Sequence, residues 1–284
     1  MCAFNEADVL KGSLEALVRD GVQVYVLDDW STDSSYEIAA AMLGRGVIGL
    51  ERCPPDRPSS DFRWMDVQER VADLALSLSA DWFVHLDPDE RRRPPWASLG
   101  LRDGLYEVDR SGFNCVDHTT VNFQPVDDAF PFGSDCEAYF RWFEFGRRPG
   151  SFLQQKAWKN LGLRVERAES GGHEIRFPGR RVYPFKFLLK HYPIRSQAHG
   201  ERKVFGERMP RWSLAERSRG QHVHYDHLTR GHTFLRTPAD LIEFRAADFN
   251  RRYLVERLSG VGLPRDLPQH EQDAREDDGD AEHA

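Results

Sequence analysis

The sequence predicts an α/β domain with a mostly parallel central sheet flanked by helices, followed by a C-terminal helical extension. Three observations predict it. Two apolar runs of strand length, ending at Leu27 and Leu86, each stop in a pair of carboxylates. Helix-period segments stand on both sides of the first run, so strand and helix alternate as in βαβ units. The 284 residues can bury one large core with an appended piece, rather than two unrelated domains.

Taken in order, residues 1–3 read as the end of a strand, and Val9, Leu10, Leu14, Leu17 and Val18 recur at helical spacing. Val22 to Leu27 reads as a strand closed by Asp28 and Asp29. Ser31-Thr32-Asp33-Ser34 is a cap sequence ahead of a helix carrying Tyr36, Ile38 and Ala39. Pro54 to Ser60 is a loop, and Met65 to Ser79 an amphipathic helix with Val67, Val71, Leu74 and Leu78 on one stripe. Trp82 to Leu86 has the composition of a buried parallel strand. Pro88 stops it, because proline cannot donate to a ladder. After Pro94-Pro95, Leu105 to Val108, Thr119 to Phe123 and Phe185 to Leu189 read as further strands, the last ending at His191. Residues 206–263 read as the helical extension.

Charge is unevenly placed. The net charge is −7, but residues 265–284 hold eight acidic residues against Arg265 and Arg275, so the body is near neutral. Residues 264–284 have almost no apolar side chains and read as a disordered acidic tail. The clusters Arg91-Arg92-Arg93, Arg147-Arg148 and Arg180-Arg181 read as solvated loop charge, able to meet a phosphate or an anionic membrane. No basic stripe interleaves with aromatics, which argues against nucleic acid. Cys2, Cys53, Cys115 and Cys136 form no paired motif, and no apolar run has the length of a membrane span or the form of a signal peptide. The expected location is the cytoplasm, with any membrane contact peripheral at the inner face.

Asp87 and Asp89 lie just beyond a strand end, where ligands of open α/β sheets bind. Carboxylates at i and i+2 suit a hard divalent cation, Mn2+ or Mg2+, shared with the phosphates of a nucleotide. The stretches AFNEAD, VLDDWSTDSS and WFVHLDPDE together resemble the signatures of family 2 glycosyltransferases of the GT-A fold, over residues 1 to about 90. The resemblance implies a donor-binding half at 1–110 and an acceptor half at 111–205. It implies Phe4 and Glu6 beside the nucleotide base, Asp28 and Asp29 at the base or ribose, Asp89 as direct metal ligand, and Asp87 near the ribose and metal-bound water. Family members carry more of the first strand ahead of the motif, so the resemblance leaves open whether Met1 is the true start.

The implied activity is metal-dependent transfer of a sugar from a nucleotide-diphospho-sugar to a hydroxyl on a glycan, lipid-linked or other acceptor, with inversion, in surface glycan or polysaccharide synthesis. Inverting members use a carboxylate near a helix start as general base, which points to Asp135 and Glu137, with Glu144 in reserve and helix capping as the competing role of Asp135. A late histidine often completes the metal site; His191 and His173 both stand where a strand could deliver it, and Arg195 and Lys203 favour His191. Those two cations suit the leaving diphosphate. The rival readings are a non-catalytic nucleotide-sugar-binding scaffold and a sugar nucleotidyltransferase. The latter usually carries an early glycine-rich loop, absent from residues 1–20.

Overall fold

The computed structural model describes residues 1–55, 61–146, 153–167, 172–218 and 225–249. Strand β1 (Cys2–Ala3) turns through Asn5, in the left-handed region at φ 53°, into helix α1 (Ala7–Arg19). The helix buries Val9, Leu10, Leu14 and Leu17. Strand β2 (Val24–Asp28), helix α2 (Ser35–Ala40) and strand β3 (Val47–Arg52) follow, and β1 and β3 pair with β2 in parallel. Ser34 stands at the N-cap of α2 without a side-chain bond; Asp33 caps instead, accepting from the Ser35 N–H at 2.9 Å.

Helix α3 (Trp64–Ser77) leads to β4 (Trp82–Val84), and the chain then enters β5 (Glu90–Arg93). Helix α4 (Leu101–Arg110) precedes β6 (Cys115–Val116) and β7 (His118–Phe123). Helix α5 (Cys136–Tyr139), β8 (Trp142–Phe145), β9 (Ala157–Lys159) and β10 (Phe187–His191) complete the middle. Then come α6 (Gln197–Glu201), a π-helical turn at Arg202–Arg208, a 3-10 turn at Met209–Arg211, α7 (Leu214–Arg217) and β11 (Ile242–Glu243).

The molecule is α/β, but the described strands form three sheets rather than one mostly parallel sheet. One is the parallel set β1-β2-β3; a mixed sheet has the order β11-β8-β7-β10-β5; and β9 joins β4 and β6 antiparallel. The composition of β4 misleads about direction. Trp82 and Val84 pack on one core cluster and Phe83 on another, with Trp158 and Ile175, so the strand is apolar on both faces while running antiparallel to β9.

Three other expectations change. The strand expected at Leu105–Val108 is part of α4: Leu101, Leu105 and Val108 are buried at i, i+4 and i+7, a helical spacing. Arg91 and Arg92 lie in β5 and are 6% and 2% exposed, so they are not solvated loop charge. The extension expected to be helical holds, among the described residues, only short helical turns and β11, which pairs with β8. Pro210, Gly231 and Pro238 break its helical pattern, and its aromatic residues act as separate anchors. Residues 250–284, with the acidic tail, and Arg147-Arg148 lie outside the described residues.

The main core gathers α1, β2, β3, α4 and Phe187 of β10 around Leu10, Leu14, Val26 and Leu101. A second cluster around Phe123, Phe143 and Tyr192 covers the other side of the mixed sheet. A cavity of about 720 Å³ forms an apolar groove between β2 and β4 that includes Met1, Val24, Val84 and Leu105. No helix among the described residues is long and apolar enough to cross a membrane.

Candidate functional site

The carboxyl ends of β1 and β2 and the segment after β4 meet at one edge. Cys2 N–H donates to Leu86 O at 3.2 Å, and Asp29 N–H to Ala3 O at 2.8 Å. This brings Phe4, Asp29 and Asp87, far apart in sequence, into the wall of one pocket, together with Phe62, Trp64 and Arg208. Asp28 lies behind the wall, 1% exposed, accepting from Ser31 N–H at 3.0 Å and pairing with Arg52 at 3.1 Å. It holds the turn and does not line this pocket.

Beside the pocket is a buried ionic network. Lys203 Nζ donates to Glu6 Oε1 at 2.8 Å and to Asp89 Oδ2 at 2.9 Å. Arg195, 0% exposed, donates to Glu6 at 2.6 Å and to both oxygens of Asp8. Burial raises the Asp89 carboxyl, but Lys203, His191 and Arg195 outweigh it and hold Asp89 far below the usual carboxylate range. Burial alone would lower Lys203; Asp89 and Glu6 reverse that and keep it an ammonium. Glu6 is therefore a buried counter-ion 3% exposed, and Arg195 a strut beneath the site rather than a cation facing a ligand. Asp87 is the outward member of its pair, its side chain one-third exposed at 33%. Lys156 Nζ approaches it at 3.5 Å and Glu90 at 3.1 Å.

The two histidines differ in a way the sequence could not show. His191 Nδ1 donates to Asn122 Oδ1 at 2.9 Å, which turns Nε2 toward Asp89, 3.8 Å from Oδ2. A metal-binding histidine is usually oriented by such a bond on its other nitrogen. His173 Nδ1 instead accepts from Gln154 Nε2 at 3.0 Å, which places its proton on Nε2. Burial, with Lys156 nearby, pushes its imidazole down to about 4. Asp87, Asp89 and His191 have the donor chemistry of a divalent site: Asp87 stands in the pocket wall, and His191 Nε2 lies 3.8 Å from Asp89. Among the described residues, no three His, Cys, Asp or Glu groups are drawn together tightly enough to hold an ion; Lys203 and Lys156 occupy the carboxylates.

The two carboxylates expected as general base are placed elsewhere. Asp135 is the N-cap of α5, accepting from Glu137 N–H at 3.0 Å. Glu137 is held by Arg93 and by Lys190, the latter at 2.7 Å. Lys190 and His191 are consecutive on β10 and point to opposite faces. Glu137 thus sits across the mixed sheet from the His191 mouth. Its neighbours also oppose a base role: burial raises its carboxyl, but Lys190 and Arg93 leave it below the ordinary value. Glu144 pairs with Arg236 at 3.1 Å and Gln124 at 3.1 Å.

Sequence reasoning missed Lys156, Asn122 and Arg211. Asn122 carries a weak signal, a polar residue two positions after Thr120 on an alternating strand. Arg211 carries none, since its partners Phe4 and Asp29 are remote in sequence. Its Nη2 donates to Asp29 Oδ2 at 2.9 Å and its guanidinium lies 4.0 Å from the centre of the Phe4 ring. No family model matches the chain, and no curated protein matches it.

Proposed function

We infer that the protein is a GT-A-like glycosyltransferase that binds a nucleotide-diphospho-sugar at the edge built by Phe4, Asp29, Asp87 and Asp89 and transfers the sugar to a hydroxyl acceptor. One observation carries the reading: three separate sequence signatures converge on one pocket at the carboxyl ends of β1, β2 and β4. Phe4 offers a ring to a base, and Asp29 a carboxylate to a base or ribose. Asp87, Asp89 and His191 would hold Mn2+ or Mg2+, which supplies charge neutralisation for the diphosphate as it leaves. Lys203 adds a fixed ammonium beside Asp89, and Asn122 keeps His191 Nε2 turned toward Asp89. Burial of the ion network keeps these groups in place before substrate arrives. Asp135 and Glu137 are given no part in proton transfer.

The test is thermal unfolding with nucleoside diphosphates, with and without metal. Binding to the native state alone should stabilise it by about 2.7 kcal/mol at a ligand concentration of ~100 Kd. The shift should appear with Mn2+ or Mg2+, vanish in EDTA, and be lost in Asp89→Asn. An equal shift in EDTA would overturn the metal; no shift with any nucleoside diphosphate would overturn the reading.

A further inference from the structure

The pocket that should take the nucleoside is lined in part by the chain's own Arg208, and Arg211 engages two of its wall residues, Phe4 and Asp29. Its free space is about 50 Å³, against roughly 300–1,000 Å³ for pockets that hold ligands of nucleoside size. The closing segment crosses from the π-helical turn at Arg202–Arg208 to α7. Arg208 lies 5.5 Å over the Phe62 ring, Phe62 N–H donates to Arg211 O, and Met65 N–H donates to Glu216 Oε1 at 3.0 Å. Arg211 itself covers the face of Phe4 and pairs with Asp29, the two groups that offer stacking and a hydrogen-bond acceptor at this end. A planar guanidinium on an aromatic face with a carboxylate at its edge meets the same wall that a planar base with an N–H donor would meet. The segment also has a place to give way, because a π-helical turn precedes it and a 3-10 turn ends at Arg211, both with poorer hydrogen bonding than α-helix.

We propose that Arg208–Trp212 is a lid over the nucleoside end of the site, and that Arg211 holds it shut by occupying Phe4 and Asp29 until a nucleoside diphosphate displaces it. The inference rests on the functional reading above. Lid opening costs part of the binding energy, so the apparent affinity falls by the fraction of molecules that are open. Lys203 and Glu207, just ahead of the lid, stay anchored to Glu6, Asp89 and Asn5, which puts the hinge after Glu207.

The experiment uses the full chain, as wild type, Arg211→Ala and Arg211→Lys, with hydrogen exchange of the peptide containing Phe62 and calorimetric titration of uridine, guanosine, cytidine, adenosine and thymidine diphosphates in Mg2+. Arg211→Ala should exchange faster at Phe62 without ligand and bind the preferred diphosphate about tenfold more tightly. Arg211→Lys, which keeps the charge but loses the planar stack, should fall between and guards against misfolding of the alanine variant. Unchanged exchange in both variants overturns the lid whatever binds. Equal or weaker affinity in both variants, with the wild type binding normally, overturns the competition while sparing the functional reading. Binding of none of the five diphosphates by any form overturns that reading, and the lid's role with it.

Discussion

Asp29 and Asp89 are buried carboxylates two strand ends apart, and they respond to pH with opposite sign. Lys203 and its neighbours hold Asp89 below its unfolded value, so Asp89 contributes stability at neutral pH that is lost as pH falls through the acid range. Burial, only partly offset by Arg211, raises Asp29 from 3.8 to about 6. The folded state therefore binds this proton better than the unfolded one, and Asp29 makes the protein less stable as pH rises from about 4 to about 6. Asp29→Asn keeps the shape and an oxygen for Arg211 but buries no charge. Its unfolding midpoint should match wild type near pH 4 and exceed it at pH 7, while nucleoside diphosphate affinity falls. Thermal unfolding across that range checks the sign; a variant less stable than wild type at pH 7 would mean the Arg211 pair outweighs burial.

At the scale of elements, the strand period separates structure from chemistry. β10 delivers His191 to one face of the mixed sheet and Lys190, with its partner Glu137, to the other. Glu137→Gln should leave turnover within about threefold of wild type, since a general base would be worth about 10² to 10⁴, and should cost about 1.5–3 kcal/mol in unfolding through the lost charged hydrogen bonds. A hundredfold fall in turnover with unchanged stability would restore Glu137 as base. Strand ends and the helices α1 and α3 were legible because periodicity and punctuation are local. α4 was misread because Leu105 and Val108, taken without Leu101, look like a strand fragment. The burial of Arg91, Arg92 and Arg195 was illegible, because each is met in the core by groups that only the fold brings to it: Ser13 for Arg91, the His85 carbonyl for Arg92, and Glu6 and Asp8 for Arg195. Arg195→Met should cost about 3–5 kcal/mol, as expected when one side of a buried charge network is removed.

At the scale of the whole molecule, the later third of the chain is folded back onto the first. Lys203, Glu207 and Arg211 grip Glu6, Asn5 and Asp29, and farther on the chain adds β11 to the mixed sheet. Phe234 packs on Phe205, while Phe244 stacks with Phe249 at 5.0 Å and meets Phe123 at 5.3 Å. Truncating a buried phenylalanine typically costs about 3–5 kcal/mol, and a domain's whole stability is about 5–15 kcal/mol. A chain ending at Ser218 loses Phe234, Phe244, Phe249 and the β11 ladder together, which is enough to exhaust it. That truncation should lose cooperative thermal unfolding and expose apolar surface to a dye such as ANS. A chain ending at Leu263 keeps every one of these anchors and sheds only the acidic segment, so its midpoint should stay within about 0.5 kcal/mol of the full chain. A cooperative, diphosphate-binding fragment ending at Ser218 would show that the aromatic anchors are dispensable and that the donor site stands without the chain beyond the lid.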